Sequence, residues 1–228
     1  MSITNYRELG IFGLGLIPFV IAMNILSPST EKIPKGYGSS IVALEFVSNG
    51  EQLNQVLSPL DPGDLSNLDK INFIDFGFML YYSFFLFLFI KLRNNDRSPR
   101  VLAILLYLPP IILVSDFLEN ANLLALVSAH IDQSSEVQHL ISMLRLFTWL
   151  KWGFLALFFA CVGWTFLREN LILKLIGFFL FIPLLAGVIS FILPSPEIIN
   201  GFVSSVFLMF FLCWVTCFIL PVPEKVTI

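Results

Sequence analysis

An all-α, polytopic bundle of six membrane-spanning helices is the fold that this sequence predicts. Three observations predict it: a composition too apolar for a water-soluble fold, six apolar runs of bilayer length, and linkers that alternate between basic and acidic. Of the 228 residues, 57% are hydrophobic and 13% charged, with a mean hydropathy of +0.87. A soluble domain carries about 25% charged residues. The 25 Phe and the aromatic content of 15% give more apolar surface than a globular core hides, and a bilayer accepts the excess as lipid-facing area. The net charge of −3 has no basic excess, so membrane lipids are the expected partners and nucleic acid is not.

The first apolar run covers about residues 9–28 and is longer than a signal-peptide core, so it reads as an uncleaved span. Further runs cover about 71–92, 101–127, 140–167, 172–193 and 201–220. Each is long enough to cross a hydrocarbon core of ~30 Å. Pro18, the Pro109-Pro110 pair and Pro183 are expected to kink three of these helices. The linkers after spans two and four hold Lys91, Arg93, Arg97, Arg100, Arg168 and Lys174, whereas the alternate loops hold Asp132, Glu136 and Glu197. Basic linkers stay in the cytoplasm, which places both termini inside and residues 29–70 outside.

That outer loop carries its own pattern. SPSTEKIPKGYGSS is rich in turn formers, and LDPGDLSNLDK reads as a return to turns before span two. Between them, Ser48 stands three residues before Glu51, a capping-box spacing, with Leu53, Val56 and Leu57 at helical intervals beyond. An outer amphipathic helix within residues 41–58 is the expectation, with Phe46, Leu53, Val56 and Leu57 inward and Gln52 and Gln55 outward.

Five ionisable residues fall inside the predicted spans: Asp75, Asp116, Glu119, Arg145 and Lys151. Such residues cost a few kcal/mol each on insertion scales and normally face a protein interior or a wet cavity. In SDFLEN, Asp116, Glu119 and Asn120 share one helix face. Helical rise places Glu119 and Asn120 roughly 11 Å deep, Asp116 roughly 16 Å, Arg145 roughly 9 Å and Lys151 roughly 18 Å. By depth, Asp116 matches Lys151, and Glu119 or Asp75 matches Arg145. Three acids against two bases leave one carboxyl without a cation. A buried carboxyl of that kind retains its proton and is suited to acid–base or proton-carrying work. The same residues also serve a purely structural reading, in which ion pairs set helix register and Asn120, Thr148 and Ser115 supply interhelical hydrogen bonds.

Other chemistry finds no motif. The chain has no H-E-x-x-H, G-x-S-x-G or Walker loop, and its two histidines give no metal pattern. Cys161, Cys213 and Cys217 lie in apolar runs and read as inert thiols. Gly13, Gly15, Gly177 and Gly187 read as helix-packing positions. Trp149, Trp152, Trp164 and Trp214 read as lipid-facing or interfacial aromatics.

Four segments, LEFVSNGEQLNQVL, NFIDFGFMLYYSFFLFL, SDFLENANLL and LKWGFLALFFA, together resemble a family of uncharacterised bacterial multi-span membrane proteins. The family pattern has an outer Phe-Glu-Leu-like segment, an Asp before aromatics, an Asp-x-x-Glu-Asn face and a Lys before an aromatic. Here these are Glu45-Phe46 in reversed order, Asp75, Asp116 with Glu119 and Asn120, and Lys151-Trp152. The resemblance covers about residues 1–167. It implies a four-span core in a bacterial inner membrane, with polar residues gathered at the outer side, and makes residues 168–228 an added helix pair.

The leading expectation is a polar pocket formed mainly by spans two to four, capped by the outer loop, that binds or processes a lipid-like or small amphiphilic molecule from the outer leaflet. Asp116 and Glu119 are its acid/base candidates. Asp75, Asn120, Arg145, Lys151 and Glu45 are its binding candidates, with Asn120 orienting the ligand and Lys151 as counter-charge. A proton- or ion-coupled transporter and a structural or assembly subunit of a membrane complex are the alternatives. The sequence names no cofactor, reaction or protein partner.

Overall fold

The computed structural model describes residues 3–96, 105–133 and 135–220. Arg97, Arg100, the expected start of span three at residue 101, and the segment 221–228 lie outside them. Among the described residues all regular structure is helical. Six helices are long and apolar enough to cross a membrane: Tyr6–Leu26, Pro62–Asn94, Leu108–Ile131, Val137–Phe166, Leu171–Ile192 and Pro196–Ile219.

The first span is interrupted. α1 (Tyr6–Gly13) passes through a 3₁₀ turn at Leu14–Leu16 into α2 (Ile17–Leu26), with Pro18 in the first turn of α2. Proline has no N–H for the preceding turn, so the ladder breaks there. The Tyr81 hydroxyl donates to the Phe12 carbonyl beside the break, at 2.7 Å. Pro183 acts likewise, dividing the fifth span into α8 (Leu171–Phe179) and α9 (Ile182–Ile192). The Pro109-Pro110 pair occupies the first turn of α6 (Leu108–Ile131), just after the turn residues Leu106 and Tyr107.

Two short helices replace the one expected in the loop: α3 (Ser40–Glu45) and α4 (Gly50–Leu57). The α4 cap is Asn49 rather than Ser48. Asn49 Oδ1 accepts the Gln52 N–H at 2.9 Å, and Gln52 Oε1 returns to the Ser48 N–H at 2.8 Å. Phe46, Leu53, Val56 and Leu57 are buried and Gln52 and Gln55 exposed. The segment read as turns is helical instead, because α5 runs from Pro62 to Asp96. Asp61 caps it, accepting the Gly63 and Asp64 N–H groups at 2.9 Å each, with Pro62 at the first helical position. Lys32 ties this start to the preceding loop, 2.8 Å from Asp61 and 2.5 Å from Asp64.

α5, α6 and α7 (Val137–Phe166) pack in sequence, α8 and α9 return along α7, and α10 (Pro196–Ile219) closes against α1, α7 and α9. Gly163 of α7 faces Gly177 of α8, where a Cβ on either would meet the other's carbonyl oxygen at 2.6 or 2.8 Å. Only glycine permits that approach. Residues of α10 share one core with α5 and α7, including Phe202, Val206 and Met209 beside Phe85, Phe158 and Phe159. Arg93, read as a linker residue, is buried in the last turn of α5. It reaches Glu169 at 2.5 Å and the Thr165 carbonyl at 3.2 Å, over the Phe166 ring.

Candidate functional site

The loop helix α3 supplies the first site residue. Ser39 caps it by accepting the Val42 N–H at 3.2 Å, and buried Ala43 and Leu44 turn its apolar face onto the bundle. The helix therefore delivers Glu45, its last residue, into the interior. Glu45 is 4% exposed; Oε1 accepts from Lys151 Nζ at 2.9 Å and Oε2 from Trp152 Nε1 at 2.9 Å. Burial raises the Glu45 carboxyl above its ordinary range, against the pull of the Lys151 charge.

Lys151, on α7, is the centre. Besides Glu45, its ammonium contacts Asp116 Oδ1 at 3.3 Å and Glu119 Oε2. Three carboxyls therefore face one ammonium, whose single charge cannot balance all of them. Asp116 Oδ2 accepts from the Tyr82 hydroxyl of α5, and Glu119 Oε1 lies 2.5 Å from Thr148 Oγ1. Thr148 also reaches the Glu45 carbonyl at 3.1 Å. Asp75 does not touch the lysine; its Oδ2 accepts from Asn120 Nδ2 at 2.6 Å. Among the described residues no group of three His, Cys, Asp or Glu is arranged to hold a metal ion.

The structure thus brings together Glu45, Asp75, Asp116, Glu119, Asn120 and Lys151, and leaves Arg145 out. The expected pairing of Arg145 with Glu119 or Asp75 is not formed. Six residues separate it from Lys151, a rotation of about 240° on a helix. It is exposed and lines a different hollow with Lys35, Tyr37 and Gln52. Nor is Asp116–Lys151 a private pair, since the lysine is shared three ways. Ser115 bonds its own helix, at the Ile111 carbonyl 2.9 Å away, and joins no neighbour.

Tyr82 and Trp152 are the site residues that sequence reasoning missed. Tyr82 follows Asp75 by seven residues, two helical turns, on one face. Trp152 is 5% exposed, where a lipid-facing ring was expected. The resemblance marked the Lys151-Trp152 pair but not what the indole meets, because its partner Glu45 is 107 residues away.

A cavity of about 420 Å³ meets this cluster. Its polar wall is formed by Asn72, Asp75, Tyr82, Asp116, Glu45 and Lys151. Glu119 and Asn120 stand behind that wall and do not line the cavity. Apart from Asn24, Ser27 and Ser39 the rest is apolar, including Met23 and Val20 of α2, Ile71 and Phe78 of α5, and Phe207 and Phe210 of α10. α1 packs on α10, with the Trp214 indole donating to the Gly10 carbonyl at 2.7 Å, while α2 packs on α5. The chain therefore diverges from α10 beyond the 3₁₀ turn, and the cavity occupies the gap. Val20 and Phe207, on opposite sides of it, are 40% and 47% exposed, so it reaches the lateral face of the bundle.

No family model, curated protein or solved structure matches this chain.

Proposed function

We propose that this integral membrane protein binds, and chemically processes, a lipid-like or small amphiphilic molecule that enters sideways from the outer leaflet. The observation that carries the reading is the cavity between α2 and α10, apolar along its length and ending on Asp75, Asp116, Glu45 and Lys151. An apolar slot with a few convergent polar groups is the usual form of a small-molecule site. Opening between two candidate spans, it is reached from lipid without crossing water. The positive-inside pattern assigns its capped end to the outer face, and the family resemblance assigns the membrane to a bacterial inner membrane. The amphipathic α4 then lies at that surface, and the charged cluster lies within the membrane.

In this reading Asp116 is the acid/base group that touches ligand. Glu119 acts through Lys151 as a positioning residue, and Asn120 holds Asp75 in place. Transport has less support, because the end of the bundle away from the loop is filled by buried Phe85, Phe89, Phe158, Phe159 and Phe166. A scaffold role leaves the cavity without a purpose.

The test is extraction in polymer-bounded native discs, with lipid mass spectrometry of the copurified amphiphiles. The wild-type protein is expected to enrich one class over the bulk membrane, and Met23→Trp, which fills the cavity, is expected to lose it. Equal enrichment in both proteins overturns the proposal.

A further inference from the structure

The hydrogen-bond accounts of the polar wall say more about the ligand, granted the lateral pocket proposed above. Its charged and aromatic donors are engaged inside the protein. Lys151 faces three carboxyls, the Trp152 indole donates to Glu45, and the Tyr82 hydroxyl donates to Asp116. The lysine's charge is therefore already met by three carboxyls, and Glu45, Asp75 and Asp116 repel a phosphate or carboxylate.

Acceptors, by contrast, are left over. Asp116 Oδ1 is buried, makes no hydrogen bond and has the Lys151 ammonium 3.3 Å away, which leaves it room for a further donor. Asp75 uses Oδ2 for Asn120 and has Oδ1 free. Asn72 is 2% exposed, lines the cavity three residues before Asp75 on the same helix face, and has no hydrogen-bond partner among the described residues. A buried amide without a partner is rare, and a ligand is one reason for it.

We infer that the head group bound here is a primary amine, whose N–H groups meet the acceptors of Asn72, Asp75 and Asp116, with an apolar chain running between Phe78, Phe207 and Phe210 toward the lipid. A neutral amine meeting a protonated Asp75 gives the same ion pair as an ammonium meeting its carboxylate, because the proton moves from oxygen to nitrogen. A quaternary ammonium lacks the N–H groups and leaves the acceptors unpaired.

The experiment measures equilibrium binding of radiolabelled dodecylamine to the full chain in phosphatidylcholine nanodiscs, with protein-free discs subtracted. Dodecanol, dodecanoate and dodecyltrimethylammonium serve as competitors. Saturable dodecylamine binding is expected, with each competitor weaker by at least about tenfold. Asp75→Asn and Asn72→Ala are each expected to weaken the amine by a similar factor, and using both guards against one failing to fold. Dodecanoate competing as well as the amine, or full amine affinity in both variants, overturns the inference while leaving the lateral pocket standing. Absence of saturable binding by any of the four probes overturns the pocket as well. Phosphatidylethanolamine added to the discs separates the sources of the amine. Competition identifies a bilayer aminophospholipid, and its absence identifies a single-chain amine.

Discussion

Lys151 holds the interior by being outnumbered. Glu45, Asp116 and Glu119 gather around one ammonium with Asp75 on the same cavity wall, and four carboxyls in so dry a place do not all ionise. Protons are therefore retained within the cluster. Infrared spectra at about pH 7, where an exposed glutamate is ionised, should show a protonated carboxyl stretch that weakens in Glu119→Gln. A spectrum without that band would show a fully ionised cluster. Removing the cation isolates the remaining cost. Lys151→Met should destabilise the protein by about 3–5 kcal/mol at neutral pH, as loss of one partner does in a buried ion pair. The loss should shrink as pH falls from neutral toward about 4, because protonation discharges the stranded carboxyls. A pH-independent penalty in thermal melts would assign the loss to packing rather than charge.

At the scale of single elements, the loop helices depend on local caps. Asn49→Ala removes the acceptor for the Gln52 N–H and should cost about 1 kcal/mol, read as a lowered melting temperature. Ser48→Ala should cost less, because its side chain only adds to the Gln52 contact and does not cap α4. The Lys32–Asp61 tie sets a pH window. Lys32 and the cap bonds hold the Asp61 carboxyl down at about 2, below its ordinary 3.8. A depressed carboxyl stabilises the fold above its unfolded value, and the contribution is lost as pH falls from about 4 through about 2. Hydrogen exchange in the first turn of α5 should accelerate over that window, and Lys32→Met should move the acceleration to higher pH.

Across the whole molecule, the loop, the α6–α7 turn and the start of α10 meet at one end, where the Gly38 N–H donates to Asn200 Oδ1 at 2.9 Å. The charge pattern assigns that end to the outside. Ser66→Cys should therefore react with an impermeant thiol reagent in intact cells and Arg168→Cys should not. The reverse labelling would invert the protein in its membrane.

Spans, their number and the loop's buried face were legible in sequence, because they follow from local periodicity and from runs of apolar residues long enough to shed water on every side. Asp61-Pro62-Gly63-Asp64 was legible too, as cap, first helical position and acidic first turn, but its turn-forming residues were read as a turn. Depth along a helix is also a local quantity, which is why Asp116 and Lys151 could be matched. Rotation about the helix is not recoverable from depth. Arg145 and Lys151 differ by about 240°, and only packing against α6 decides which of them turns inward. Glu45 and Trp152 were separated further still, meeting because α3 docks its apolar face and carries the carboxylate into the bundle. The sequence determined that charges would be buried in a helical membrane bundle; the tertiary structure decided which charge each one meets, since burial is a property of a single helix and pairing is a property of several.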